Sequence, residues 1–324
     1  MINFRFHLVS LVAVFLALAV GVVMGSTVID QAIVDGLRSQ VDRIERKADR
    51  EAAENDELRL AVAQLEGYAD GVGGFAVAGR LEDVPVVVVA PRGVDGETVT
   101  ALVELAQQSG ALVPGILWLE ERWRLESEDE VDALAEVLGV VSPRRTTTVR
   151  RDGLDALAER LAAGSALAAA APDEPSAGDL LERLADAEFI ELEQVGEQTT
   201  SVDLAQFPGA GARAVFVGAT AFAPEAMAVV EPGVRALRGA EVPTVLASVH
   251  EEGDEDGAPS RADTVGLVRG DDRLSGAVST VDDLDLRQGR VATLLALVGL
   301  ADGVVGHYGY GDGASAPLPD CCPP

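Results

Sequence analysis

"VPVVVVAPRG", Val84 to Gly93, is the stretch that decides the fold. A solid run of β-branched residues without polar alternation marks a strand buried on both faces, because a strand with one wet face alternates. A helical segment, Glu97 to Gln108, follows, and then a second apolar run, "GILWL" at Gly115 to Leu119. The same order recurs as "ARAVFVGA" from Ala212, a helical stretch around Pro224 to Leu237, and "PTVLASV" from Pro243. Val86 to Ile116 and Ala214 to Thr244 are both 30 residues apart, which suits two β-α-β units with right-handed crossovers. The expected fold is therefore α/β, a Rossmann-like domain over residues 81–310 with two similar halves, about 81–205 and 206–310. Ala-rich helical segments, Asp152 to Ala171 and Ala177 to Ala187, lie between them, joined by "PDEPSAG" at Pro172 to Gly178.

Upstream, the "DGVGGFAVAGR" stretch, Asp70 to Arg80, is expected to be a Gly-rich hinge. Before it, residues 29–69 carry heptads with Val34, Val41, Ala48, Asn55 and Val62 at position a and Leu37, Ile44, Glu51, Leu58 and Leu65 at position d. This pattern predicts a two-stranded parallel coiled coil. Asn55 at an a position fixes register, and Glu54 at g can pair with Arg59 at e of the other strand. The weak centre from Ala48 to Asn55 leaves open a surface helix packed on its own domain.

At the N-terminus, Leu8 to Val28 contains only Ser10, Ser26 and Thr27 as polar side chains. Roughly 20 apolar residues let a helix cross a hydrocarbon core about 30 Å thick. A cleavable signal has a shorter apolar region and an A-x-A-like exit, so an anchor over residues 1–28 is expected. Arg5 before the span and Asp30 and Asp35 after it place residues 1–7 in the cytoplasm and the rest outside. Ala13, Ala17, Gly21 and Gly25 recur at four-residue spacing, the small-residue pattern that lets two membrane helices approach closely and form a homodimer.

Formal net charge is −29, and of 25 basic residues only Lys47 is not arginine. Such a surface repels phosphates, so nucleic acid is not an expected partner. "EEGDED", Glu251 to Asp256, is expected to be a solvated loop, with a loose cation site beside His250 as the alternative. Arg144, Arg145, Arg150 and Arg151 flank "TTTV" and are expected to be a charged strand edge. After a strand-like "GAVSTV", Gly276 to Val281, Asp282 and Asp283 are expected to cap an apolar helix from about Arg287. "GHYGYGDGASAPLP" from Gly306 follows a helix, not a strand, so its glycines do not predict a dinucleotide loop; it is expected to bring His307, Tyr308 and Tyr310 to the surface. Residues 311–324 are expected to form a flexible Pro/Cys tail.

"FHLVSLVAVFLALAVGVVMGS", "STVDDLDLRQGRVATLLAL" and "GHYGYGDGASAPLP" together resemble the copper transporter family typified by mycobacterial copper transport protein B. The resemblance implies a copper channel of the outer membrane of an actinobacterial-type envelope. It also implies a link to cell separation, in which relatives work with a partner protein on a peptidoglycan hydrolase. The residues themselves argue against an outer-membrane barrel, which needs roughly 10-residue alternating strands and aromatic girdles, whereas this chain is 4% aromatic with short solid strands.

Copper(I) favours thiolates and thioethers, and copper(II) imidazole. The inventory is Met1, Met24, Met227, Cys321, Cys322, His7, His250 and His307. Only Cys321 and Cys322 form a pair, and they are the candidate copper ligands. Neighbouring Cα atoms lie about 3.8 Å apart, below the usual disulfide range of about 4.4 to 6.8 Å, so a bond between the two is strained. The sequence has no G-x-S-x-G, P-loop, H-E-x-x-H or C-x-x-C, and no catalysis is expected. Two functions are anticipated: copper handling in the envelope, or a dimeric scaffold that docks an envelope partner such as a peptidoglycan hydrolase.

Overall fold

The computed structural model describes residues 4–140, 145–164, 179–196, 204, 207–219, 224–249 and 264–320, with 26–34 and 224–227 described by backbone alone. The chain forms two compact units, Met1–Leu65 and Glu66–Pro324. Helix α1, Phe4–Val77, begins in the first unit and ends in the second. Its length follows from the absence of a breaker, since the first proline of the chain is Pro85. Among the described residues, Phe4–Gly25 is the one helical segment long and apolar enough to cross a membrane.

The second unit is built on an open seven-stranded sheet of order β3-β2-β1-β4-β5-β6-β7, and it closes into no barrel. In chain order its elements are β1 (Val86–Pro91), α2 (Gly96–Gln108), β2 (Gly115–Leu119), a 3₁₀ turn (Glu121–Arg124), α3 (Glu128–Val137), α4 (Thr146–Ala163) and α5 (Leu180–Asp186). There follow β3 (Ile190–Gln194), β4 (Arg213–Ala219), α6 (Pro224–Gly239), β5 (Thr244–Val249), α7 (Thr264–Arg269), α8 (Asp272–Ser275), β6 (Ser279–Val281), α9 (Arg287–Ala301) and β7 (His307–Tyr308). All strand pairs are parallel except β2 with β3. The expected β-α-β units are present, and Ala214 and Thr244 are register partners. The strand order reverses between β1 and β4, so the crossovers through α2 and α6 fall on opposite faces. All six residues of β1 and of β5 are buried. Each fully buried Val or Leu contributes about 1.5–3 kcal/mol relative to exposure.

Several expectations need correction. The Gly-rich hinge from Asp70 is helical through Val77. Its glycines serve close packing: a Cβ on Gly73 would lie 2.9 Å from Arg287 Nε and 3.2 Å from Val291 Cγ2. The helix stops beyond Val77 at Gly79, whose φ of +66° suits a residue without a side chain. "TTTV" and the arginines around it are not a strand edge, because Thr146 opens α4. Arg150 Nε there donates to the Trp123 carbonyl at 2.8 Å, while Arg144 lies outside the described residues. Residues 311–320 are not a free tail, since Gly309 and Ala316 are joined by a backbone hydrogen bond of 3.0 Å. Sequence periodicity also missed β3 and α3. The latter is announced by a capping box in which Ser127 and Glu130 satisfy each other's backbone N–H groups.

The loop before α9 holds the tightest backbone approach of this region. Asp283 has φ 58°, and a Cβ on Gly289 would sit 2.0 Å from the Asp283 carbonyl oxygen. Gly289→Ala is expected to destabilise the head by about 1–3 kcal/mol or more, the cost of overpacking a rigid site. Urea unfolding of the full chain, followed by the fluorescence of the buried Trp118 and Trp123, measures it.

Candidate functional site

Ligands of open α/β sheets bind beyond the carboxyl ends of the strands. The described residues place two polar constellations there. The carboxyl ends of β4 and β5 lead into residues outside the described set.

The first constellation surrounds a cleft of about 610 Å³ lined by Arg92, Glu120, Glu121, Arg122, Glu188 and Glu191, with Ala185 and Ile190 at its apolar wall. Arg92 follows β1 and stacks over Trp118, with its guanidinium carbon 4.6 Å from the ring centre. Its Nε donates to Glu120 at 2.8 Å, and one Nη donates to Glu191. Glu193, 3.9 Å from the other Nη, accepts from Trp118 Nε1 at 2.6 Å. Arg122 sits 5.2 Å over the Phe189 ring, donates to the Ala187 carbonyl and faces Glu188 at 3.7 Å. Both cations are half-buried and engaged by carboxylates and carbonyls, whereas Glu121, Glu188 and Glu191 present exposed oxygens. The cleft therefore favours cationic groups and repels phosphate. No thiol, imidazole or thioether lines it.

The second constellation is a knot at the ends of β6 and β7, built from the motifs that carried the family resemblance. Arg269, at the last position of α7, donates at 2.9 Å from Nε to Thr280 Oγ1, from Nη1 to Asp282 and to the Asp312 carbonyl, and from Nη2 to the Tyr308 carbonyl. Asp282 accepts further from the backbone N–H of Tyr310 at 2.7 Å and of Gly311 at 3.0 Å. The ion pair is nearly dry, with side-chain exposures of 6% for Arg269 and 11% for Asp282. Gly309 is obligatory here, because a Cβ on it would lie 1.5 Å from the Asp282 carboxylate and its φ is +117°. Asp282 is thus no helix cap; α9 starts at Arg287 with Leu286 at its cap and no side-chain capping bond. Tyr308 is buried rather than brought to the surface, while Tyr310 is exposed.

His307 belongs to the same knot. Thr280 Oγ1, which accepts from Arg269, shares a second hydrogen bond of 2.9 Å with His307 Nδ1. Burial and then the Arg269 charge hold the imidazole below its ordinary value of 6.5, against a hydrogen bond to the Ser275 backbone that raises it. Held through Nδ1 by Thr280, the His307 ring is tied into the knot. Among the described residues no group of three His, Cys, Asp or Glu is arranged to hold a metal ion.

Cys321, Cys322 and His250, and the side chain of Met227, lie outside the described residues. Ala13, Ala17, Gly21, Gly25, Leu37, Val41, Ile44, Asn55, Leu58, Val62 and Leu65 are all exposed on α1, and the side chain of Val34 is outside the described set. The Arg269 clamp on Asp282 is the feature that sequence reasoning missed. Its signal was the recurrence of glycine at Gly309 and Gly311, which marks a backbone brought close to something.

Asp282→Ala leaves the Arg269 charge buried without its carboxylate and is expected to cost about 3–5 kcal/mol, readable by the same urea unfolding. A histidine with a lowered folded value stabilises the fold above about pH 6.5, and that stability is lost as pH falls through the folded value. Thermal unfolding is therefore expected to shift downward on acidification below pH 6.5, with a smaller slope in His307→Gln.

Comparison with known proteins adds identity to this geometry. The family model described as "Copper transport outer membrane protein, MctB" matches residues 1–319. The copper transporter MctB of Mycobacterium tuberculosis (strain H37Rv) is 29% identical over 328 residues, covering 97% of this chain and 98% of the relative. The Mycobacterium leprae protein of the same name is 26% identical over 328 residues, covering 98% of each chain. The match includes the apolar helix, the Asp282 region and the glycine loop, and it stops just short of Cys321. On this match the chain belongs to the MctB family of copper transport proteins.

Proposed function

We propose that this protein is a membrane-anchored envelope component of copper export or homeostasis. The observation that carries the reading is the family match over residues 1–319, which joins the apolar segment Phe4–Gly25 to the α/β head. In this reading residues 1–7 are cytoplasmic and the head stands outside the membrane, consistent with Arg5 before the span and acidic residues after it. The head performs no catalysis. A single spanning helix lines no pore by itself, so conduction requires several copies or a separate channel. The small-residue stripe from Ala13 to Gly25 and the heptads from Val34 to Leu65 pair two chains in parallel, with Asn55 setting the register. The scaffold role for an envelope partner finds no support in the family or in the named relatives.

The thiols of Cys321 and Cys322 are soft donors suited to copper(I). Because they follow the matched residues, their contribution is separable from that of the shared fold. Titration of the full chain with copper(I) is expected to show affinity falling at least about tenfold, roughly 1.4 kcal/mol, in Cys321→Ser/Cys322→Ser. Unchanged affinity and unchanged cellular copper tolerance remove the pair from the mechanism. Loss of the whole protein is expected to lower copper tolerance, and unaltered tolerance overturns the proposed role.

A further inference from the structure

The last turns of α1 carry apolar residues that the head does not cover. Tyr68 is 70% exposed, Val72 41% and Phe75 88%. At about 100° per residue these three fall on one side of the helix. Gly73 and Val77 fall on the other side, and both are buried. That side is fixed to the head: Gly73 lies against Arg287 and Val291, Gly74 against Gln108, and Asp70 is 3.6 Å from Arg287 Nε. Packing thus turns Tyr68, Val72 and Phe75 outward. Tyr68 comes 43 residues after Gly25, so these side chains form no part of a membrane span.

We infer that Tyr68, Val72 and Phe75 form a self-pairing face that seats the same face of a second copy of this chain, extending the dimer seam onto the head. The inference rests on the parallel-dimer reading above. Three observations select a second copy over another partner. Counting the heptad on from Leu58 and Leu65 puts Val72 at the next d position, and Tyr68 and Phe75 at the flanking g positions, so the face continues a self-complementary repeat. An earlier repeat is complementary to itself in charge, with Glu54 at g opposite Arg59 at e. Two copies anchored by identical N-terminal spans meet in parallel, and a two-fold axis along the seam then sets Val72 against Val72.

Disulfide crosslinking of the full chain in membranes tests this, in a background with Cys321 and Cys322 changed to Ser. Single cysteines are placed at Leu58 in the coil, at Val72 on the proposed face, and at Asp70 on the opposite side. Leu58→Cys and Val72→Cys are expected to give dimers, and Asp70→Cys several-fold less. Dimers from Leu58→Cys with Val72→Cys no better than Asp70→Cys overturn the inference and leave the coil standing; dimers from neither overturn both. Phe75→Glu is expected to lower the Val72→Cys crosslink several-fold while tryptophan fluorescence stays unchanged. An undiminished crosslink in that variant removes Phe75 from the seam and overturns the face as described.

Discussion

The head depends on one constraint: a parallel sheet covered by helices on both faces has no wet face on which to place charge. Val86–Pro91 and Thr244–Val249 are buried at every position, so the acidic excess of the chain is driven to strand ends, loops and helix surfaces. The two most deeply buried charges each form a pair that is tied to the backbone as well. Arg160, buried on α4, binds Asp179 at 2.7 Å and the carbonyls of Gly164 and Leu204 at 3.1 and 3.2 Å. Arg269 and Asp282 do the same at the other edge. A buried pair of this kind is weak evidence for net stability, yet removing one partner strands the other, so each pair specifies which segments must meet.

This accounts for what the family motifs do. "STVDDLDLRQGR" and "GHYGYGDGASAPLP" lie apart in sequence, but Asp282 in the first binds the N–H groups of Tyr310 and Gly311 in the second. Arg269 closes the circle through Thr280, Tyr308 and Asp312. The motif residues therefore seal the carboxyl end of β6 and β7 against each other. The cleft beside Arg92 is lined by hard carboxylates and two half-buried guanidinium groups, with no soft donor among its lining residues.

The strands were legible because β-branched runs admit one environment, and the 30-residue spacings marked both β-α-β units; Ala214 pairs with Thr244, while Ile116 pairs with Val88 rather than Val86. β3 was not, because at the sheet edge only Ile190 of "IELEQ" is buried and its acids read as a loop. Asp282 was misread because local rules assign an acid before a helix to capping, whereas its partners lie 28 and 29 residues further on. The glycines after Asp70 were read as a hinge, and those from Gly309 as a surface loop, for a similar reason. Composition cannot distinguish a glycine that permits motion from one that permits contact, and Gly73 and Gly309 are of the second kind.

Helix α1 must satisfy different surroundings along its length, and its residue types change accordingly. From Leu8 to Gly25 Ser10 is the one polar side chain, so the helix is apolar on nearly every side, as a lipid-facing helix requires. From Asp35 onward apolar residues retreat to a heptad stripe flanked by exposed ion pairs such as Lys47 with Glu51 at 3.3 Å. Isolated pairs of this type contribute about 0.3–0.5 kcal/mol, too little to hold so long a helix in water without burial of the stripe. At Gly73 the helix acquires an inner side, and small residues replace large ones because α9 lies against it. The outer side keeps Tyr68, Val72 and Phe75, whose exposure costs transfer free energy that only another apolar surface recovers. A helix held by packing on one side and left apolar on the other has an unfilled contact there, and on the proposed reading the same face of a second copy fills it, since the heptad count runs on through Val72.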